Sequence, residues 1–437
     1  MVTKVAIIGS GISALGAAHA LKGRADIALF EAASYFGGHT NTIDVTLPNA
    51  AGRAVTHGVD TGFLVFNERT YPKLIALLAS LGVDSAKSDM SFSVQAEQGA
   101  GLAPLVWSGT GLAGLFAQKS NLVNPRFWGM LSDLLRFNRL TSGLANDGSE
   151  AGMQQTLGAF LDEHRFGQAF REWYFMPMMA CIWSCPTEQM LQFPVATMVR
   201  FCHNHGLLQV TNRPQWWTVQ GGARHYVHAI TQHIPNKRLY CPIKGVRFDA
   251  TAHAGRGGVW LQTADGEELF DRVILATHSD QALQMLRDPS PQEQQLLGSV
   301  AYQPNVAVLH TDITVLPVQR AAWAAWNYER ARDRQQERTR VCLHYWINKL
   351  QPLPFADNVV VSLNPVRPID PSKVIRRIDY AHPVFDLAAM QAQSQMPGLQ
   401  GQQHRYYAGA WMGYGFHEDG LKAGLAAAQA LLRDCSN

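Results

Sequence analysis

The first forty residues constrain this chain more than any other stretch. Val5-Ala6-Ile7-Ile8 is a short apolar run rich in β-branched residues, which predicts a buried strand. It runs into Gly9-Ser10-Gly11-Ile12-Ser13-Ala14. Residues 14–21 then carry helical character, with small side chains at Ala14, Gly16, Ala17, Ala18 and Ala20. A second apolar run, residues 27–30, ends in Glu31. Strand, glycine turn, helix, strand and acid, in that order, form the layout that binds the ADP half of a dinucleotide.

Each residue type has a physical reason to be there. Gly9 permits the tight turn out of the strand, and Gly11, lacking a Cβ, lets a pyrophosphate approach the backbone. Ala14 takes the third position of the pattern, where a small residue lets the helix lie on the sheet. The helix N-terminus offers free N–H groups and the positive end of its dipole to phosphate. Glu31, at the end of the second strand, is placed to accept hydrogen bonds from ribose hydroxyls. Further on, residues 272–278 predict a buried strand ending in small residues, so that Ala276 and Thr277 pass beside the dinucleotide.

The chain has 437 residues, of which 47% are hydrophobic, enough for two domains and a full core. A net charge of +3 gives no ground for a nucleic-acid partner. Cys181, Cys185, Cys202, Cys241, Cys342 and Cys435 show no zinc-ligand spacing and read as reduced, mostly buried thiols of a cytoplasmic protein. His203 and His205, two apart, point in different directions on a helix, so no metal site is expected. No apolar stretch reaches the ~18 residues of a spanning helix.

Past Glu31 comes Tyr35-Phe36-Gly37-Gly38-His39-Thr40, a second glycine pair where the chain must pass a longer cofactor. Here the chain resembles the flavoprotein group that contains amine oxidases, phytoene-type desaturases and protoporphyrinogen oxidase. The group usually has Gly-Gly-Arg at this place; His39 stands for the Arg, so a cationic contact there is weakened and pH-dependent. His57-Gly58-Val59-Asp60-Thr61-Gly62-Phe63 resembles the group's acid-x-Gly turn near the flavin. Residues 242–246 resemble its strand on the adenine edge, with Ile243 at that position. At the C-terminal end, residues 406–411 and 413–421 resemble the strand, loop and helix that aim a helix N-terminus at the flavin N1–C2=O edge.

The resemblance implies FAD as cofactor, held by Gly9, Gly11, Ile12, Ser13, Ala14, Glu31, Ala32, Gly37, Gly38, His39, Thr40, Gly62, Phe63, Ile243, Ala276, Thr277, Gly409, Phe416, His417, Glu418 and Gly420. It also implies an α/β fold: a Rossmann-like FAD-binding domain of the GR2, amine-oxidase type, interleaved with an α+β substrate-binding domain. The expected cofactor segments are 1–85, 215–288 and 401–437. The substrate segments are 86–214, mostly helical, and 289–400. Trp323, Trp326, His344, Tyr345 and Trp346 suggest an aromatic sheet over the flavin, and residues 170–186 a Met- and aromatic-rich core or pocket wall.

The match extends through residues 322–328 (AWAAWNY), 345–351 (YWINKLQ) and 413–421 (GYGFHEDGL) to a bacterial group of FAD-binding oxidoreductases within the amine-oxidase-like superfamily. Its members are often encoded beside cyclopropane-fatty-acid-synthase-like methyltransferases. That implies a hydrophobic or acyl-lipid substrate, desaturation as the reaction, and a lipid-modifying enzyme as partner. Phe416 stands where amine oxidases carry a tyrosine and Asn305 where they carry a lysine, which disfavours an amine substrate. Desaturation also releases a proton. His417 and His278 are the histidines closest to the expected flavin loops, and each is either the proton acceptor or only a hydrogen-bonding residue.

Three other readings stay open: an amine or amino-acid oxidase with Arg367 or Arg376 for a carboxylate, a non-catalytic FAD-binding partner subunit, and a carotenoid-type desaturase or isomerase. Basic and aromatic residues between Lys119 and Arg139 allow peripheral contact with the inner face of a membrane, although solvated arginines are the simpler account.

Overall fold

The strand Lys4–Ile8 sits at the centre of a five-stranded, all-parallel sheet. Its apolar run is what a strand buried on both faces requires. The order across the sheet is Asn236–Arg238, Asp26–Phe30, Lys4–Ile8, Arg272–Leu275 and Arg405–Tyr407, so three distant parts of the chain meet in one sheet. This computed structural model describes residues 2–96, 104–147, 155–183, 190–195, 198–199, 202, 214–330 and 341–436. His203, His205, Cys185 and residues 331–340, expected as a charged turn, lie outside the described residues.

The small residues of the first helix are explained by what packs on it. Ile12–Leu21 lies along the closing helix His417–Ser436. A Cβ on Gly16 would meet Leu421 Cδ1 at 2.6 Å, and one on Gly420 would meet Ile12 Cγ2 at 2.7 Å. The two helices therefore approach backbone to backbone, which fixes their N-termini on the same side of the sheet.

A second, seven-stranded sheet runs in the order Val374–Val384, Ala301–His310, Val360–Leu363, Cys342–Trp346, Trp326–Glu329, Phe92–Ala96 and Leu105–Ser108. Only the Trp326–Glu329 and Phe92–Ala96 pair is parallel. Beyond it lie the helices Pro125–Asp147, Leu157–Glu163 and Met176–Trp183, the last entered through a π-helical turn, Arg171–Phe175. Trp173, Phe175, Met179 and Trp183 are buried, so the dense aromatic segment is mainly core.

Several expected elements differ in place. Trp216–Val219, at the start of the expected segment 215–288, pairs with Phe66–Asn67 and Ser85–Ser88 in a small sheet of its own. Ile243 precedes its strand, Gly245–Asp249, which belongs to a separate antiparallel sheet. The strand that reaches the main sheet is the polar Asn236–Arg238, which no apolar pattern marks. Arg405 is wholly buried, its guanidinium 3.1 Å from both Glu293 carboxylate oxygens and 2.5 Å from Asp288, tying the last strand to the helix Pro291–Gly298. Among the described residues no helix is long and apolar enough to cross a membrane.

Candidate active site

Between the two sheets lies a cavity of about 840 Å³, within the range of cofactor and small-molecule sites. One part of its wall is the glycine turn. Gly9 has φ +94°, and a Cβ there would meet Ala276 O at 2.6 Å. Gly11 differs: its backbone is extended and a Cβ would meet no protein atom within 4 Å. The space beside Gly11 therefore belongs to the cavity. The first helical N–H to bond back is Leu15 N to Gly11 O, so the three before it lack helical partners, and no acidic residue sits in that first turn. Glu31 is oriented by Ser10 Oγ at 2.5 Å and Ala33 N at 2.8 Å, one bond to each carboxylate oxygen, which leaves lone pairs for ribose hydroxyls. An uncapped helix end, open space at Gly11 and a fixed carboxylate fit a dinucleotide.

Much of the rest of the wall is apolar. Leu64, Met90, Ile182, Trp183, Trp326, Tyr345, Phe385 and Phe416 contribute to it, with the Trp326 and Tyr345 rings edge to face at 5.1 Å. Among the described lining residues Glu31 is the only carboxylate and Lys244 the only lysine or arginine.

Four histidines line the same cavity: His39, His278, His382 and His417. His39 lies 5.2 Å from His382 and 6.2 Å from His278, ring centre to ring centre. Burial pushes His39 and His278 down to about 4 and His382 and His417 to about 3, and a neighbouring imidazole adds to each. All four are therefore neutral near pH 7. His39 Nε2 is buried without a protein partner. The chain has no charged side chain where the resembled group has its arginine.

His382 has a tautomer dictated from the backbone. Val306 N–H donates to Asn364 Oδ1 at 2.8 Å, which fixes that amide; Asn364 Nδ2 donates to Asn305 Oδ1 at 2.7 Å. Asn305 Nδ2 must then donate to His382 Nδ1, 2.7 Å away. His382 Nδ1 is the acceptor, so in the neutral ring the proton sits on Nε2, for which the described residues show no hydrogen-bond partner. His417 is held differently, stacked on Phe63 at 3.7 Å, with Nε2 2.6 Å from Tyr226 Oη and 3.3 Å from Thr40 Oγ1. His278 stacks on Tyr302 at 4.4 Å.

Residues 7–81 match the family described as an NAD(P)-binding Rossmann-like domain. No curated protein matches the chain in sequence. Among solved structures the chain resembles cyclohexylamine oxidase from Brevibacterium oxydans IH-35A, with TM-score 0.68, 16% identity and 100% of both chains covered. It also resembles a protein from Exiguobacterium sp. 255-15 assigned as a protoporphyrinogen oxidase, with TM-score 0.66, 15% identity and 99% of each chain covered. A third is the CLA-producing fatty acid isomerase from P. acnes, with TM-score 0.62, 14% identity and 99% and 98% covered. The chain has the fold of these proteins over its whole length.

Of the residues expected to hold a cofactor, Gly9, Gly11, Ile12, Ser13, Glu31, Ala32, Gly37, Gly38, His39, Gly62, Phe63, Ile243, Ala276, Thr277, Gly409, Phe416 and His417 line the cavity. Four lie off it. Ala14 is fully buried in the sheet-facing helix, and Gly420 is the contact point of the two helices. Thr40 is buried against Tyr226 and His417. The Glu418 carboxylate accepts from Lys73 N and Leu74 N at 3.1 and 2.9 Å, capping the helix Pro72–Ser80.

The expected aromatic sheet is split by strand alternation. Trp326 and Tyr345 face the cavity, but Trp323, His344 and Trp346 do not line it. His344 bonds Glu329 and Ser362 under the sheet. Cys342 completes a trio whose ligand atoms lie within 4.8 Å of one another, but Arg367 already pairs with Glu329 at 2.6 Å. Neither Arg367 nor the exposed Arg376 lines the cavity, which removes the sequence-level support for an amino-acid carboxylate. Sequence reasoning missed His382, Tyr302 and Lys244. The signal for His382 was Asn305, read as a lost lysine when it is the residue that orients an imidazole.

Proposed function

We propose that this chain is an FAD-dependent oxidoreductase that removes a hydride and a proton from a neutral hydrophobic substrate, with desaturation of a fatty-acid or phospholipid acyl chain as the reaction. The observation that carries the reading is the composition of the chamber: aromatic and aliphatic walls, four neutral imidazoles and, among the described lining residues, no carboxylate apart from Glu31, which is assigned to the ribose. A substrate ammonium would meet no counter-charge there and would lose its hydration uncompensated. A hydrocarbon chain gives up no polar hydration on entering and gains by burial, which offsets its lost conformational freedom.

Bound FAD would supply the hydride acceptor. The protein's part is to seat it through Gly11, the first helix and Glu31, to press the substrate against it with Trp326, Tyr345 and Phe416, and to exclude water. The likeness to a fatty acid isomerase supports an acyl chain as cargo and favours a second outcome, in which the hydride returns to a different carbon of the chain.

The test is anaerobic. The purified holoprotein is mixed with phospholipids carrying mono-unsaturated chains, flavin absorbance is followed, and the lipids are weighed by mass spectrometry. Bleaching with loss of two hydrogens supports desaturation. A shifted double bond at unchanged mass supports isomerisation. Bleaching by primary amines and not by lipids overturns the reading, and no bleaching by either, with the lipids unchanged in both mass and double-bond position, points to a non-catalytic partner subunit.

A further inference from the structure

A separate surface, on the helical side of the seven-stranded sheet, gathers five of the ten exposed large apolar side chains among the described residues. Leu122 and Val123, 51% and 83% exposed, form the tip of the short turn Lys119–Val123. Trp128 joins them, its Nε1 donating to Leu122 O at 2.9 Å and its ring 5.7 Å from Phe116. Leu112, 77% exposed, lies one turn before Phe116, whose N–H bonds its carbonyl. Leu135 follows Trp128 by two helical turns on the same exposed face. A contiguous exposed patch of this kind calls for a partner.

Within residues 104–144 the unpaired charges have one sign, and the neighbouring acids Asp162 and Glu172 are already paired with Arg171 and Arg330. Lys119, Arg126 and Arg139 are exposed and have no ion-pair partner among the described residues; Arg126 stacks on Trp173 at 4.9 Å. The only carboxylate in residues 104–144 is Asp133, already paired with Arg136 at 2.9 Å.

We infer that this face docks on an anionic lipid bilayer, with Leu122, Val123 and Trp128 entering the interface and Lys119, Arg126 and Arg139 contacting lipid phosphates. A second copy of the chain fits less well, because a two-fold contact through this patch would bring like charges together. The inference stands apart from the proposed reaction, since none of these residues lines the cavity.

The full-length protein is floated with phosphatidylcholine vesicles with and without phosphatidylglycerol. The expected result is binding to the anionic vesicles that weakens as salt is raised. It should fall about five-fold for Arg139→Gln and disappear for Leu122→Asp with Val123→Asp. These positions are exposed, so melting of the variants should match the wild type, which keeps loss of binding separate from loss of fold. No binding to either vesicle, or unchanged binding by the double variant, overturns the inference. So does a concentration-dependent dimer that the double variant abolishes.

Discussion

Gly9 and Gly11 stand two residues apart in the same turn, yet the structure gives them different reasons to be glycine. Gly11 has φ −66° and ψ 179°, a backbone open to any residue, and empty space where a Cβ would point. Gly11→Val should therefore leave the fold nearly intact. The cost is the loss of a favourable cap residue, about 1 kcal/mol, which lowers the melting temperature of the cofactor-free protein by no more than ~2–4 °C. The valine methyls would occupy the approach to the helix end and push a pyrophosphate off the free N–H groups. Two charge-assisted hydrogen bonds lost at about 1.5–3 kcal/mol each weaken FAD binding roughly a hundred- to ten-thousand-fold.

Gly9→Val is the control. There φ is +94° and the new Cβ collides with Ala276 O, so the same substitution should destabilise the fold by roughly 2–6 kcal/mol. Calorimetric titration of the cofactor-free proteins with FAD, beside their melting curves, separates the two effects. A Gly11→Val protein that melts normally and binds FAD as tightly as wild type would falsify the phosphate assignment. One that melts like Gly9→Val would show that Gly11 serves the turn and not the ligand.

Asn305→Asp should invert the His382 tautomer: a carboxylate accepts from Nδ1–H, raises the imidazole pKa by roughly 1–3 pH units and leaves Nε2 as a lone pair or part of a cation. Nitrogen-15 shifts of the His382 ring check this, and a spectrum identical to wild type rejects the relay. Arg405→Met should cost about 3–5 kcal/mol, because it strands buried Glu293 without its cation, as read from urea unfolding midpoints. Acid should also be selectively destabilising. The four cavity histidines titrate near 3–4 in the folded chain against about 6.5 unfolded, so their contribution is complete above pH 6.5 and is lost as pH falls. At pH 5 each costs about 2 kcal/mol, and unfolding midpoints that stay flat from pH 7 to 5 would contradict the neutral assignment.

The glycine turn and Glu31 were legible because their roles are local: a strand, a tight turn and a helix end lie within one short stretch. What could not be read depended on partners far along the chain. Gly420 resembled a cofactor-contact glycine, but its lack of a Cβ serves Ile12, some four hundred residues earlier in the sequence. Glu418, beside it, turned to cap a different helix. Alternation within the strand Cys342–Trp346 sends Tyr345 into the cavity and His344 away from it, and the period alone did not say which face was which.

Under the proposed reaction the four histidines cannot be interchangeable, because a proton acceptor needs a lone pair facing the substrate. His382 is excluded while Asn305 donates to its Nδ1, since its free nitrogen then carries hydrogen; it can only donate, to a cofactor or substrate atom that gathers negative charge. His417 has Nε2 engaged by Tyr226 and Thr40, and its ring is clamped on Phe63, so any lone pair it offers is at Nδ1 and its position is set by the closing helix. His39 keeps Nε2 buried against Tyr380 and the other rings. His278 is left with a ring that is stacked on Tyr302 but has no hydrogen-bond partner in the described protein, at the end of the strand where the chain passes Ala276 and Thr277. Burial pushes His278 down to about 4, which makes it a weak proton acceptor, so under the proposed reaction it could take the proton only from a carbon whose C–H is already acidified by departure of the hydride.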